Sequence, residues 1–290
     1  MQKKLKRIAA DTNIFLKSFI KQQKKTDLIY PMQYGLFPGG KKIRSKVLID
    51  IGSLFSINYK TLIKIGAAIE CIHAYSLIHD DLPCMDNDRF RRGKLSTHIK
   101  YNESTAVLAG NSLLIMAFEI LSDKKLMISD NIKINLIKKL SGCSGHTGIA
   151  GGQFLDLSFE NKKISLKKII DMATKKTGRL FSFSCMVPAI IKGKDINIIK
   201  FFEKIGAEIG LLFQIVDDLI DFSGETKRVG KKTKKDQKKG KATLISLLGY
   251  KNTIKYGEKI KLNLSKKLKK YGFRSNNINE TLDFIFNRSK

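Results

Sequence analysis

Apolar residues along this chain recur at helical spacing. In residues 61–82, Leu62, Ile65, Ile69, Ile72 and Leu77 fall close to a 3.6-residue repeat, with no strand-like alternation. Residues 104–122 and 201–222 repeat the pattern, and 163–192 reads as one or two further helices. Turn signals are few: Phe37-Pro38-Gly39-Gly40, the glycines from Gly142 to Gly152, Gly224, and residues 227–240. No hairpin dipeptide separates alternating apolar runs. The pattern predicts an all-α chain, one domain over residues 1–290 with ten or more helices. From Lys251 onward the chain is amphipathic and lysine-rich, and reads as a peripheral helical cap.

The 290 residues are 42% hydrophobic, ample for a packed core. The longest apolar runs, such as residues 181–191, carry serines and a proline and fall short of the ~20 residues needed to span a bilayer. The basic N-terminus is followed by no continuous apolar segment. These features predict a cytoplasmic protein without stable membrane insertion. Cys71, Cys84, Cys143 and Cys185 show no metal-site spacing and read as reduced thiols.

Charge is strongly positive, 55 Lys+Arg against 26 Asp+Glu, a net +29. Clustered cations of this kind are one signature of nucleic-acid binding. The excess, however, is 46 Lys and only 9 Arg, spread along the whole chain. Base and paired-phosphate recognition favours the Arg fork, so no nucleic-acid partner is expected.

Against that background two acidic clusters stand out. The first is His79-Asp80-Asp81-Leu82-Pro83-Cys84-Met85-Asp86-Asn87-Asp88, and the second is Gln214-Ile215-Val216-Asp217-Asp218-Leu219-Ile220-Asp221. Positions i, i+1 and i+4 of a helix project together. Asp217, Asp218 and Asp221 therefore share a stripe, with Gln214 one turn earlier. His73, Ser76, Asp80 and Asp81 likewise share a face, and Pro83 ends that helix so that Asp86 and Asp88 reach back from an irregular segment. Like charges on an apolar helix need a positive counterpart. One such pair alone reads as a solvated helix end; two, in a chain with only 26 acids, read as a cation site. Hard carboxylate oxygens without His or Cys point to Mg²⁺, which binds through a few carboxylates plus substrate phosphates.

Cations lie where phosphates would need them. Arg91-Arg92 follow the first cluster, and Gly39-Gly40-Lys41-Lys42-Ile43-Arg44 is a glycine turn entering a helix, where free N–H groups favour anions. Residues 227–241 hold nine Lys/Arg, of which Lys231 and Lys241 follow glycines; the rest read as a charged loop.

The order GGKKIR (39–44), CIHAYSLIHDDLPCMDNDRFRRG (71–93), LAGNSLL (108–114), GGQFLDL (151–157), KTGRLF (176–181), FQIVDDLIDF (213–222) and GKATLISLLG (240–249) resembles the short-chain trans-isoprenyl diphosphate synthases, and among them the bacterial farnesyl diphosphate synthases. The resemblance implies the isoprenoid (terpenoid) synthase helical bundle around a central cavity. It implies Mg²⁺, several ions per site, held by Asp80 and Asp86 on one wall and Asp217 on the other, with Asp81, Asp218 and Asp221 in support. Arg91, Lys176, Lys231 and Lys241 would contact an allylic diphosphate (dimethylallyl or geranyl). Thr177 and Gln214 would lie near the ionising carbon, and Lys41, Arg44, His73 and Arg92 would bind the diphosphate of isopentenyl diphosphate. A homodimer is the common assembly. The chain departs from the family pattern at Ser45, where Pro is usual, at Asn87, and at Lys235, where Gly is common.

Head-to-tail condensation to farnesyl diphosphate is thus expected. Tyr75, five residues before Asp80 and about 7.5 Å along the helix, would floor the cavity beside Ser76 and stop growth at C15, although core packing also accounts for a tyrosine there. A geranylgeranyl or other short-chain polyprenyl diphosphate synthase is the alternative. A class I terpene cyclase shares the acidic helices but has no use for the second cationic site.

Overall fold

A computed structural model describes residues 1–223 and 240–289. The packing divides the chain into two compact units, one of Met1–Ile49 and Ile57–Lys138, the other of Asp50–Ser56 and Lys139–Lys290.

The first unit holds α1 (Gln2–Lys21), α2 (Ile29–Leu36), the opening turns of α3 (Ile43–Leu54), α4 (Tyr59–Asp80), a pair of two-residue strands β1 (Phe90–Arg91) and β2 (Lys94–Leu95), α5 (Thr97–Lys100), α6 (Glu103–Ser122) and the start of α7 (Asp130–Ser144). Its centre is α4 packed along α6. The Asn58 carboxamide caps α4 by accepting from the backbone N–H groups of Lys60 (2.9 Å) and Thr61 (3.3 Å). Asn102 does the same for α6 through Thr105 N–H at 2.7 Å. Both helices are long and apolar enough to cross a membrane, a length that inspection of the apolar runs did not suggest. Burial accounts for α4, whose Ile65, Ile69 and Ile72 lie wholly in the core. α6 instead keeps an apolar outer face at Val107, Leu108 and Ile115.

The small hairpin was not expected from the sequence. It pairs Phe90 with Leu95 and Arg91 with Lys94, antiparallel. Arg92 and Gly93 both take positive φ (53° and 78°), the conformation of a two-residue hairpin turn. Arg92-Gly93 lacks the Asn or Asp that announces such a turn, and the flanking strands are too short to alternate.

The second unit holds the end of α7, α8 (Ile149–Ser158), α9 (Leu166–Ala173), a π-helical turn (Thr174–Gly178), α10 (Arg179–Ile191), α11 (Ile196–Ser223), α12 (Leu244–Leu248), α13 (Tyr250–Leu268), α14 (Asn276–Phe286) and a final 3₁₀ turn (Asn287–Ser289). α10 and α11 pack side by side, and α13 and α14 lie on α11. The stretch after Lys251 is therefore more than a peripheral cap. Leu264, Leu268, Ile278 and Leu282 are fully buried, and Thr281 Oγ1 donates to Asp50 Oδ2 at 2.6 Å.

Two glycines bring helices against the π turn. A Cβ on Gly152 of α8 would fall 2.1 Å from the Lys176 backbone nitrogen, and one on Gly210 of α11 would fall 2.4 Å from Gly178 Cα. Only glycine permits such approaches, and they fix the backbone that carries Lys176 and Thr177. The four cysteines are free, with Cys71, Cys143 and Cys185 buried and Cys84 exposed.

Candidate active site

In the first unit, α4 ends at Asp80 and the chain turns back at once. Asp86 N–H donates to Asp80 C=O at 2.8 Å and Asp88 N–H to Asp81 C=O at 3.1 Å. The return that Pro83 suggested is therefore made through the backbone, and it brings the four aspartates together at one helix end. Asp80 and Asp86 are half-buried, Asp81 and Asp88 buried. Arg91 Nε donates to both Asp81 oxygens, at 3.0 and 3.1 Å, and Arg91 Nη2 lies 3.8 Å from Asp88. Burial works against the Arg91 charge, but the Asp81 hydrogen bond and the charges of Asp81, Asp88 and Asp80 outweigh it and hold the guanidinium above its ordinary value. The hairpin thus delivers Arg91 to the acidic loop.

On the same unit the glycine turn and Arg92 form a second cluster. Arg92 Nη1 donates to Gly39 C=O, and a Cβ on Gly40 would strike the guanidinium at 2.4 Å. Gly39 and Gly40 have φ of 93° and 140°, so this seat for Arg92 requires glycine. Lys42 Nζ lies 3.9 Å from Glu70 Oε2, and Ser45 Oγ donates to Glu70 Oε1 at 2.8 Å. The Ser45 departure is thereby explained: its hydroxyl ties the first turn of α3 to α4. His73, half-buried, has its pKa driven well below the ordinary imidazole value by withdrawal from water and by the charges of Arg44, Arg92, Lys42 and Arg91. At neutral pH it is an uncharged imidazole among four cations. Lys41 is exposed at the mouth of the turn.

One turn below Asp80, the Tyr75 ring meets His79 edge-on at 5.2 Å. His79 Nε2 lies 3.1 Å from Val107 C=O, against Gly110 of α6. The Tyr75 phenol is raised in pKa by burial and by the Asp80 charge. Ser76, buried, donates to His73 C=O at 3.0 Å.

In the second unit a chain of hydrogen bonds runs from the π turn to α11. Thr177 Oγ1 donates to Gln214 Oε1 and Gln214 Nε2 to Asp218 Oδ1, both at 2.7 Å. Asp218 and Asp221 line a cavity of about 750 Å³ with Phe222, Lys241 and Thr243, a size suited to a small-molecule ligand. A smaller one of about 60 Å³ lies between Asp156, Lys176, Gln214, Asp218 and Lys241. Asp156 Oδ2 accepts from Lys176 Nζ at 2.6 Å and from Lys241 Nζ at 3.1 Å. Asp217 lies outside both linings and accepts from Arg288 Nη2 at 2.8 Å. Lys231 and Lys235 lie outside the described residues.

The structure therefore groups Asp80, Asp81, Asp86 and Arg91 at one end of α4, and Lys176, Thr177, Gln214, Asp218, Asp221 and Lys241 in the second unit. Glu70, Asp156 and Arg288 were not anticipated. The signal for the first two was present: Glu70 is the one acid in the apolar body of α4 before its terminal Asp80, and Asp156 is the one acid in α8, in an acid-poor chain. Mg²⁺ fits the donors. Among the described residues no group of three or more His, Cys, Asp and Glu side chains encloses a metal unaided. The fit rests on the chemistry of the donors: hard carboxylate oxygens at Asp80 and Asp86 would suit Mg²⁺, which keeps water or phosphate in much of its shell.

A family model described as Polyprenyl synthetase matches residues 25–276. The farnesyl diphosphate synthase of Escherichia coli (strain K12) is 38% identical over 270 residues, covering 91% of this chain and 90% of that protein. Among solved structures, an FPP/GFPP synthase from Zymomonas mobilis has a TM-score of 0.86 at 33% identity, covering 97% of each chain. A Helicobacter pylori geranyltransferase complexed with magnesium and isoprenyl diphosphate has a TM-score of 0.85 at 32% identity, covering 98% of this chain and 97% of that one.

Proposed function

The chain belongs to the polyprenyl synthetase family, and on that premise we propose that it is a trans-prenyltransferase that condenses dimethylallyl and geranyl diphosphates head-to-tail with isopentenyl diphosphate, giving farnesyl diphosphate. One observation carries the reading from the geometry: each unit holds its own cationic site, Arg44, Arg92 and Lys42 around neutral His73 in the first and Lys176 with Lys241 in the second. Two such sites answer to two diphosphates, whereas a cyclase has one.

In this reading Lys41, Arg44, His73 and Arg92 bind isopentenyl diphosphate, and a neutral imidazole donates to a phosphate oxygen without adding charge. Lys176 and Lys241, with Arg91 and Lys231, take the allylic diphosphate. The allylic C–O bond breaks, the π-bond of the second substrate attacks the resulting cation, and the released diphosphate accepts the proton lost in forming the new double bond. The fixed cations stabilise charge developing on the leaving group, and the Thr177 and Gln214 oxygens turn their dipoles toward the allylic cation. Asp80, Asp86 and Asp217 would hold Mg²⁺, with Asp81, Asp218 and Asp221 supporting them, and bound Mg²⁺ would neutralise diphosphate oxygens as a Lewis acid.

The family match over residues 25–276 supports treating 1–290 as one domain. The apolar outer face of α6 supports a homodimer, and the likeness to bacterial synthases supports a cytoplasmic setting. Dimethylallyl diphosphate, isopentenyl diphosphate and Mg²⁺, followed by product sizing, test the whole reading. A C15 diphosphate is expected. Turnover of an allylic diphosphate without isopentenyl diphosphate would overturn it in favour of a cyclase.

A further inference from the structure

We propose that Asp156 is a positioning residue that gathers Lys176 and Lys241 into one anion-receiving pair. The inference rests on the reading of these lysines as the allylic diphosphate site and deepens it.

The two lysines come from separate parts of the chain, one from the π turn and one from the segment leading into α12. Each carries a flexible stem with several rotatable bonds, and two ammonium groups left to themselves separate into solvent. Both instead meet a single oxygen, Asp156 Oδ2, at 2.6 and 3.1 Å. Their nitrogens can therefore be no farther apart than those two contacts laid end to end. An ammonium has three donors, so the contact with Asp156 does not by itself exhaust either lysine.

The acceptor is itself held. Asp156 is 6% exposed and sits one turn beyond Gly152, where α8 touches the Lys176 backbone. One helix thus fixes both the main chain of Lys176 and the head of its side chain. Burial alone would raise the Asp156 carboxyl, but the charges and hydrogen bonds of Lys176 and Lys241 outweigh it and hold it below the usual carboxylate value. The carboxylate is an anion throughout the working pH range and repels phosphate, so its place here requires a benefit beyond charge.

That opposition makes the test decisive. Asp156→Asn removes a negative charge beside a diphosphate site. Were charge the whole effect, the KM for the allylic diphosphate would fall. Positioning predicts the reverse: a rise of roughly 10- to 100-fold, the scale of a misplaced binding group, with the KM for isopentenyl diphosphate essentially unmoved. In a Lys176→Met/Lys241→Met background the same substitution should do nothing further. Asp156→Glu, which keeps the charge on a longer arm, should recover part of the loss, and it serves as the measured variant if Asp156→Asn does not fold. An unchanged or lower allylic KM, an equal rise for both substrates, or an undiminished effect without the lysines would overturn the proposal. Wild-type protein that fails to join the two substrates would instead overturn the functional reading, so the two failures are distinguishable.

Discussion

Arg288 donates through Nη2 to Asp217 Oδ1 at 2.8 Å, and its guanidinium carbon lies 4.6 Å from the centre of the Phe213 ring. On the proposed reading Asp217 would hold Mg²⁺, and metal binding there would compete with this pair. The Asp217 side chain is 40% exposed, so the pair contributes on the order of 0.2–1 kcal/mol. Arg288→Ala should therefore lower the Mg²⁺ concentration for half-maximal activity by up to about fivefold. A Mg²⁺ titration at saturating substrates measures it, and an unmoved or raised midpoint would count against the competition.

Much of the fold was legible because apolar periodicity is local. The helix expected over 61–82 runs Tyr59–Asp80, that over 104–122 runs Glu103–Ser122, and that over 201–222 runs Ile196–Ser223. The return of Asp86 toward Asp80 was legible too, since Pro83 stops the helix between them. What escaped is non-local. Glu70 is 25 residues from Ser45, Asp217 is 71 from Arg288 and Asp156 is 85 from Lys241. No spacing rule joins such pairs. Only the packing of α3 on α4, of the final 3₁₀ turn on α11, and of the segment at Gly240 beside the end of α8, where Asn161 N–H donates to Gly240 C=O at 2.9 Å, brings them together.

His73 gives the protein a pH dependence of known sign. The unfolded imidazole takes a proton near pH 6.5, whereas the folded one resists it until well below that value, through burial and the charges of Arg44, Arg92, Lys42 and Arg91. In the window between the two, the unfolded state binds more protons. Stability is therefore lost as pH falls below about 6.5, by up to about 1.4 kcal/mol per pH unit, and is unaffected above it. Thermal melts of wild type and His73→Gln from pH 5 to 8 check this. The variant should show the shallower acid limb, and parallel limbs would refute the assignment.

Tyr75 is the candidate for ending chain growth. Its ring meets His79 edge-on at 5.2 Å below Asp80; on the proposed reading that it floors the prenyl cavity, replacement by alanine would open room for a longer tail. Tyr75→Ala should shift product from C15 toward C20 and longer, with condensation retained. Product sizing by mass spectrometry decides, and a product confined to C15 would return Tyr75 to plain core packing.

The outer face of α6 presents Leu108 (54% exposed) and Ile115 (60% exposed) two turns apart, flanked by Val107. With Asn111 and Ser112 between them, these residues form a mixed face with an apolar share, of the kind a protein partner covers. The proposed homodimer supplies one. Ile115→Glu should halve the mass seen by sedimentation, while the circular-dichroism spectrum of the fold is retained. A wild-type chain that sediments at 32.7 kDa would remove the dimer.

Two glycines on neighbouring helices should respond oppositely to alanine. At Gly142 in α7 a Cβ meets nothing within 4 Å. Gly142→Ala removes backbone freedom from the unfolded chain and should stabilise by about 0.5–1 kcal/mol. At Gly152 the new Cβ would stand 2.1 Å from the Lys176 backbone nitrogen, and main chain cannot swing aside as a side chain does. α8 or the π turn must move. The expected cost is about 1–3 kcal/mol or more. On the proposed reading of Lys176 as part of the allylic diphosphate site, the allylic KM should rise with it. Paired melts and kinetics separate the two effects. Equal melting temperatures for the two variants would mean that α8 does not pack on the π turn as closely as the structure has it.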